Sequence, residues 1–175
     1  RAARADAPLG EHALRLTGLP GAEFQQLSNP VLPGDLQDVR GRRITVGAWL
    51  WAERPTLVRQ GVLVNTGASD TLVGEVIEID ATPRFVSWIY SVPEDVQRLQ
   101  YAVAIEGAPD APLDVFVDGA VLARGRYALD QAPSFDDARA QAGEWGGRRF
   151  ENLLRNASAE ESGPRFRPWL DQGLA

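Results

Sequence analysis

Residues 44–52 read Ile44-Thr45-Val46-Gly47-Ala48-Trp49-Leu50-Trp51-Ala52. In an extended chain, successive side chains point to opposite faces. Ile44, Val46, Ala48 and Leu50 therefore share one face, and Thr45, Gly47, Trp49 and Trp51 share the other. The first is a core face. The second carries two tryptophans pointing the same way. A strand that is apolar on both faces is either covered on both sides or offers an aromatic platform to a ligand.

On either side of this strand, short alternating stretches recur at regular intervals. His12–Thr17 sets Leu14 and Leu16 against Arg15 and Thr17 and stops at Gly18. Glu23–Ser28 is a second strand, and a Pro-rich loop through Pro30, Pro33 and Gly34 follows it. Gln60–Asn65, Leu72–Ile79, Phe85–Val92, Gln97–Glu106 and Leu113–Val117 continue the pattern, the last resuming at 121–123 after a bend at Asp118-Gly119. About eight or nine short strands separated by turn residues predict an all-β sandwich or barrel. No run of strand-helix-strand units points to an α/β fold. After residue 128 the pattern changes. Ser134-Phe-Asp-Asp137 predicts an N-capped helix ended by Gly143. Phe150–Asn156 is an apolar, strand-like stretch, and 157–175 are irregular. The expected organisation is a sandwich over 1–128, with an extension over 129–175 containing a short helix and an added strand.

The 175 residues carry a formal charge of −6, and all 18 basic residues are arginine. An acidic chain without a basic patch argues against nucleic acid. Without cysteine there is neither a disulfide framework nor a thiolate metal site. The lone His12 excludes multi-histidine centres within one chain. No apolar run reaches the ~18–20 residues of a membrane span. The sequence opens at Arg1 without a signal-peptide pattern and reads as a piece of a larger protein.

Three stretches together resemble the jelly-roll, galactose-binding-like carbohydrate-binding modules. Gly10-Glu-His-Ala-Leu-Arg-Leu-Thr-Gly18 is similar to their second strand, Gly41–Ala52 to their central strand, and Val115-Phe-Val-Asp-Gly-Ala-Val-Leu122 to their closing strand. The resemblance spans 10–125, and the order and spacing of the motifs carry it. It implies a jelly-roll β-sandwich. The motif that normally opens these modules, "NLL.NgSFE", stands instead near the end, as Asn152-Leu-Leu-Arg-Asn-Ala-Ser-Ala-Glu160. Either it opens a following module, or it folds back to supply the missing strand. That strand would come from the same molecule or from a second copy, giving a strand-swapped homodimer.

The resemblance implies a carbohydrate ligand. Trp49 and Trp51 are the candidate platform for pyranose rings, with Gln25, Gln26 and Tyr90 as hydrogen-bonding neighbours. The alternative is that the tail, with Phe135, Trp145 and Phe150, covers this face. The resemblance also implies a structural calcium, held by Asp118, carbonyls around Gly10 and Glu11, and Glu160. The alternative is a solvated turn Asp before Gly119. His12 beside Glu11 reads as an exposed strand-start residue, and Asp136 and Asp137 as helix-capping acids. Asn156-Ala-Ser158 matches a glycosylation sequon, and Arg40, Arg42 and Arg43 form a small basic loop cluster. No nucleophile, metal cluster or acid pair points to a reaction. The expected function is a non-catalytic, carbohydrate-binding-like accessory module of a larger exported or membrane-anchored protein, extracellular or periplasmic. The competing reading is a structural or protein-interaction sandwich. It is told apart by whether Trp49 and Trp51 lie buried under residues 126–150.

Overall fold

A computed structural model describes residues 2–22, 24–67 and 69–160, together with the backbone of 167–170. In chain order the elements are β1 (Ala2–Ala3), β2 (His12–Gly18), β3 (Phe24–Pro30), α1 (Pro33–Val39), β4 (Arg43–Ala52), β5 (Thr56–Asn65), β6 (Asp70–Ile79), β7 (Arg84–Ser91), β8 (Arg98–Glu106), β9 (Leu113–Arg124), β10 (Ser134–Phe135), β11 (Ala142–Trp145), β12 (Arg148–Glu151) and β13 (Arg167–Leu170). Two five-stranded sheets form the sandwich, ordered β1-β2-β9-β4-β7 and β13-β3-β8-β5-β6. All the ladders are antiparallel. A small third sheet, β10-β11-β12, lies outside them. No helix among the described residues is long and apolar enough to cross a membrane.

Alternation along the strands decides what is inside. Ile44, Val46, Ala48 and Leu50 of β4 face Val58, Val62 and Val64 of β5 and Leu99, Tyr101, Val103 and Ile105 of β8 in one buried cluster. The β4–β9 ladder slips between Gly47 and Trp49. Opposite it, Gly119 adopts φ +52. This is the bend expected at Asp118-Gly119, accommodated as a bulge within a continuous β9.

The helix lies elsewhere than the sequence pattern predicts. Ser134–Phe135 is a strand, paired with Glu144 and Gly143. A Cβ at Gly143 would collide with the Ser134 carbonyl, so this glycine permits a close strand approach rather than ending a helix. The Asp136 N–H donates to Ala142 O at 2.9 Å, and Asp137 Oδ1 accepts from the Arg139 N–H at 2.8 Å, closing a turn. The one α-helix of the described residues is α1, in the stretch read as a Pro-rich loop. Pro33 starts it without losing a needed N–H, Asp35 sits in its first turn, and Leu36 and Val39 are buried one turn apart.

The displaced motif folds back onto its own chain. Leu153, Leu154, Ala157 and Ala159 belong to the sandwich core. Asn152 is 1% exposed. Its Oδ1 accepts from the N–H groups of Leu122 (3.0 Å) and Leu154 (3.1 Å), and its Nδ2 donates to Ala120 O (2.8 Å) and Ala140 O (2.7 Å). Ala120 N donates to Ala157 O at 3.1 Å, and Leu153 N to Leu122 O at 2.9 Å. Residues 152–160 therefore pack into the core of their own chain.

Candidate functional site

The outer face of the first sheet is filled. Trp51 is 1% exposed and stacks on Phe116 with centroids 5.4 Å apart, packed with Ala13 and Ala2. Trp49 is half-buried and meets Phe85 edge-on at 5.7 Å. Further along, Trp145 and Phe150 pack on Val121 and Ala123 with Tyr127, Phe85 and Phe135. Trp51 has no ring face left for a sugar, since the N-terminal segment and Phe116 occupy its surroundings. Tyr90 stands opposite Ile44 in register, so it lies on the inner face, beside Trp88 at 5.5 Å. Gln26 belongs to the other sheet. The structure thus pairs the two tryptophans but does not bring Gln26 or Tyr90 to them.

Gln26 leads to a different place, the outer face of the second sheet. The ladders align three rows of side chains across β3, β8, β5 and β6. One row is Ser28, Ala102, Gly61 and Gly74. Pro30, Gln100, Leu63 and Leu72 flank it on one side, and Gln26, Ala104, Arg59 and Val76 on the other. The middle row carries small side chains across the strands and is buried at Ser28, Ala102 and Gly61, with Ala102 at 0% exposure. Its two glycines oppose each other, and an added Cβ at either would meet the partner strand's backbone. A groove of about 800 Å³ is lined on this face by residues including Gln26, Ser28, Pro30, Leu63, Leu72 and Gln100.

The groove's polar groups are partly committed. Ser28 Oγ donates to Gln100 Oε1 at 3.1 Å. Arg98 Nη2 donates to both oxygens of Asp70 at 2.6 Å, which holds the Asp70 carboxyl below its ordinary range. Gln26 is 3% exposed, yet its Oε1 has no hydrogen-bond partner among the described residues. A buried acceptor without a donor is destabilising by roughly 1–3 kcal/mol. Gln26 lines the groove, and a turn of its side chain would present this acceptor to a ligand donor. Apart from Gln26, sequence reasoning missed this face. The available signal was Gly61 and Gly74 interrupting two strands, a sign of close backbone approach.

Asp118 and Glu160 form a second cluster. Asp118 is fully buried, which removes the reading as a solvated turn Asp. Its oxygens accept from the N–H groups of Leu9 and Gly119, each at 2.7 Å. Burial pushes its pKa up to about 7, and the charge acting on it is a second carboxylate, Glu160. Glu160 Oε1 accepts from the Glu11 and His12 N–H groups at 2.8 Å, and its Oε2 lies 3.1 Å from His12 Nδ1. Glu11 offers Glu160 its N–H, while its carbonyl accepts from Arg4 N at 3.0 Å. Among the described residues no group of three or more acidic, His or Cys side chains is placed to hold a metal ion. Two converging carboxylates, one of them buried, nonetheless suit a hard cation that takes its remaining ligands from backbone oxygens.

The other candidates have structural explanations. Asp136 pairs with Arg149 at 2.6 and 2.7 Å instead of capping a helix. Asn156 is 5% exposed with φ 51, which does not present it as a glycosylation acceptor. Arg40 Nε donates to Val96 O at 3.1 Å.

No known protein family matches the sequence, and no curated protein does. Solved structures match the fold. One described as "CBM4 structure and function" aligns with a TM-score of 0.50 and 19% identity, over 65% of this chain and 84% of that one. Another, described as "PbXyn10C CBM APO", aligns with a TM-score of 0.51 and 13% identity, over 90% of this chain and 82% of its own. The chain has the jelly-roll β-sandwich fold of carbohydrate-binding modules.

Proposed function

We propose that this domain binds carbohydrate without catalysing a reaction, and that it does so in the groove on the outer face of the second sheet. The observation that carries the reading is Gln26 Oε1, a buried acceptor without a partner in a groove that mixes apolar and amide side chains. A sugar presents both kinds of surface, hydroxyl donors and C–H faces. The groove crosses four strands, with Gln26 and Ser28 from β3, Gln100 from β8, Leu63 from β5 and Leu72 from β6 along it. At about 4.8 Å per strand, the span from β3 to β6 is about 14 Å, room for a short run of linked pyranose rings. The fold it shares with carbohydrate-binding modules supports the same reading. As part of it, the domain serves as an accessory module of a larger exported or membrane-anchored protein, working outside the cytoplasm.

Asp118 and Glu160 would hold a structural calcium, whose charge would relieve the repulsion between the two carboxylates. Its role is to fasten residues 152–160 to the turn at 9–12. A thermal shift that rises with calcium, falls with chelator and disappears in Asp118→Asn is the expected behaviour.

The binding test is titration calorimetry of the folded domain against a panel of linear oligosaccharides, beside Gln26→Ala. Binding that weakens about tenfold or more in the variant is expected for a lost buried hydrogen bond. Trp49→Ala, away from the groove, should bind as the parent does. If no glycan binds, the filled outer face of the first sheet favours the structural or protein-interaction reading, and the groove reading fails.

A further inference from the structure

Two guanidinium groups stand on the outer face of the second sheet, and each already faces a carboxylate. Arg98 donates to both oxygens of Asp70 at 2.6 Å, and Asn65 Nδ2 donates to Asp70 Oδ1 at 2.9 Å. Arg59 Nε donates to Glu106 Oε1 at 2.6 Å. The ladders place Glu78 on the same face, beside Leu57. Among the described residues of this face, two arginines therefore stand against three acids. Asp70 and Arg98 both line the groove, next to Leu63, Leu72 and Gln100.

A guanidinium fork is the side chain best suited to grip a carboxylate or sulfate. In this groove it is held by the protein's own carboxylate. An acidic ligand would have to displace Asp70, or settle beside it and meet a like charge. An uncharged glycan meets neither obstacle and can still use the amides of Gln26 and Gln100. Discrimination built on a repulsive group is a common route to specificity. We propose that Asp70 sets the charge selectivity of the groove. By holding Arg98, it makes the site accept uncharged glycans and reject those bearing uronate or sulfate. This rests on the groove being the glycan site.

The test compares the parent with Asp70→Asn, which keeps side-chain shape and removes the charge, and with the double variant Asp70→Asn, Arg98→Ala. Each is first shown to melt like a folded domain. Each is then titrated with neutral linear oligosaccharides and with oligogalacturonate as the acidic probe. The parent should bind a neutral glycan and not oligogalacturonate. Asp70→Asn should gain oligogalacturonate binding by about tenfold or more, weakening with added salt. The double variant should lose that gain. A parent that binds oligogalacturonate as tightly as neutral glycans overturns the proposal. So does a folded Asp70→Asn that binds neutral glycans and gains nothing. If no protein of the set binds any glycan, neutral or acidic, the groove reading itself falls, and the selectivity proposal falls with it.

Discussion

Shifting the pH from 5 to 8 in the presence of chelator should destabilise the domain, through Asp118. Its carboxyl is fully buried, accepts only two backbone N–H bonds and feels Glu160, so burial raises its pKa from 3.8 to about 7. The folded state therefore holds a proton that the unfolded chain releases. Its contribution to stability is fully present below pH 3.8 and lost as pH rises through 7. Over the whole titration this amounts to about 4 kcal/mol, and between pH 5 and 8 to about 3 kcal/mol. The carboxyls held low by arginines, Asp6, Asp70 and Asp136, lose their stabilisation only in more acidic solution and do not mask the trend. For a domain of this size about 3 kcal/mol is a fall of about 5–10 °C in Tm. The assay is urea or thermal unfolding in chelator at several pH values, repeated with Asp118→Asn, which has no proton to lose and should give a flatter profile. Stability that is level or rising from pH 5 to 8, or an Asp118→Asn variant with the parent's slope, would refute the reasoning. Calcium added at pH 8 should restore what the deprotonated pair loses.

Trp51→Ala should lower stability by about 3–5 kcal/mol, read by urea unfolding, and leave glycan affinity untouched, because the ring is a packed core element against Phe116. Leu154→Ala should cost about 2–5 kcal/mol in the same assay, since Leu154 is fully buried in the sandwich core. Gly61→Ala should be destabilising by about 1–3 kcal/mol in the same assay, because a Cβ there collides with the backbone of β6. A Gly61→Ala protein with the parent's stability would count against this close approach of β5 and β6.

What the sequence made legible follows the range of the interactions involved. The two faces of β4 and the alternation in β8 can be read along a single strand, and both face assignments agree with the buried cluster. The misplaced helix shows the limit of local signals. Ser134, Asp136 and Asp137 form a valid N-terminal signature, but Gly143 allows β11 to approach Ser134 closely enough to pair, and a strand ladder replaces the cap. α1 went unread because Pro33 looks like a loop marker until Leu36 and Val39 are seen to be buried one turn apart. The tryptophan platform depended on what covers a face, which no strand encodes by itself. The groove is the hardest case. Pro30, Gln100, Leu63 and Leu72 come from four strands and become neighbours only through ladder register.

The displaced motif explains why the resemblance survives a change in chain order. A sandwich core needs its strands side by side, not a particular first strand. Asn152 meets the backbone of Ala120 and Leu122, and Glu160 meets the N–H groups of Glu11 and His12. The segment thus spans from the closing strand to the start of β2. That is the place a strand leading into β2 would also have to occupy. Supplying it from the far end of the chain preserves these contacts and changes only the connection. Beyond it, the backbone of β13 pairs with β3, with Trp169 opposite Gln26 in register. The C-terminal segment therefore both completes the core and adds a strand to the sheet that carries the groove. A change in the tail should then reach stability and binding together, whereas a change at Trp49, packed on Phe85, should reach stability alone.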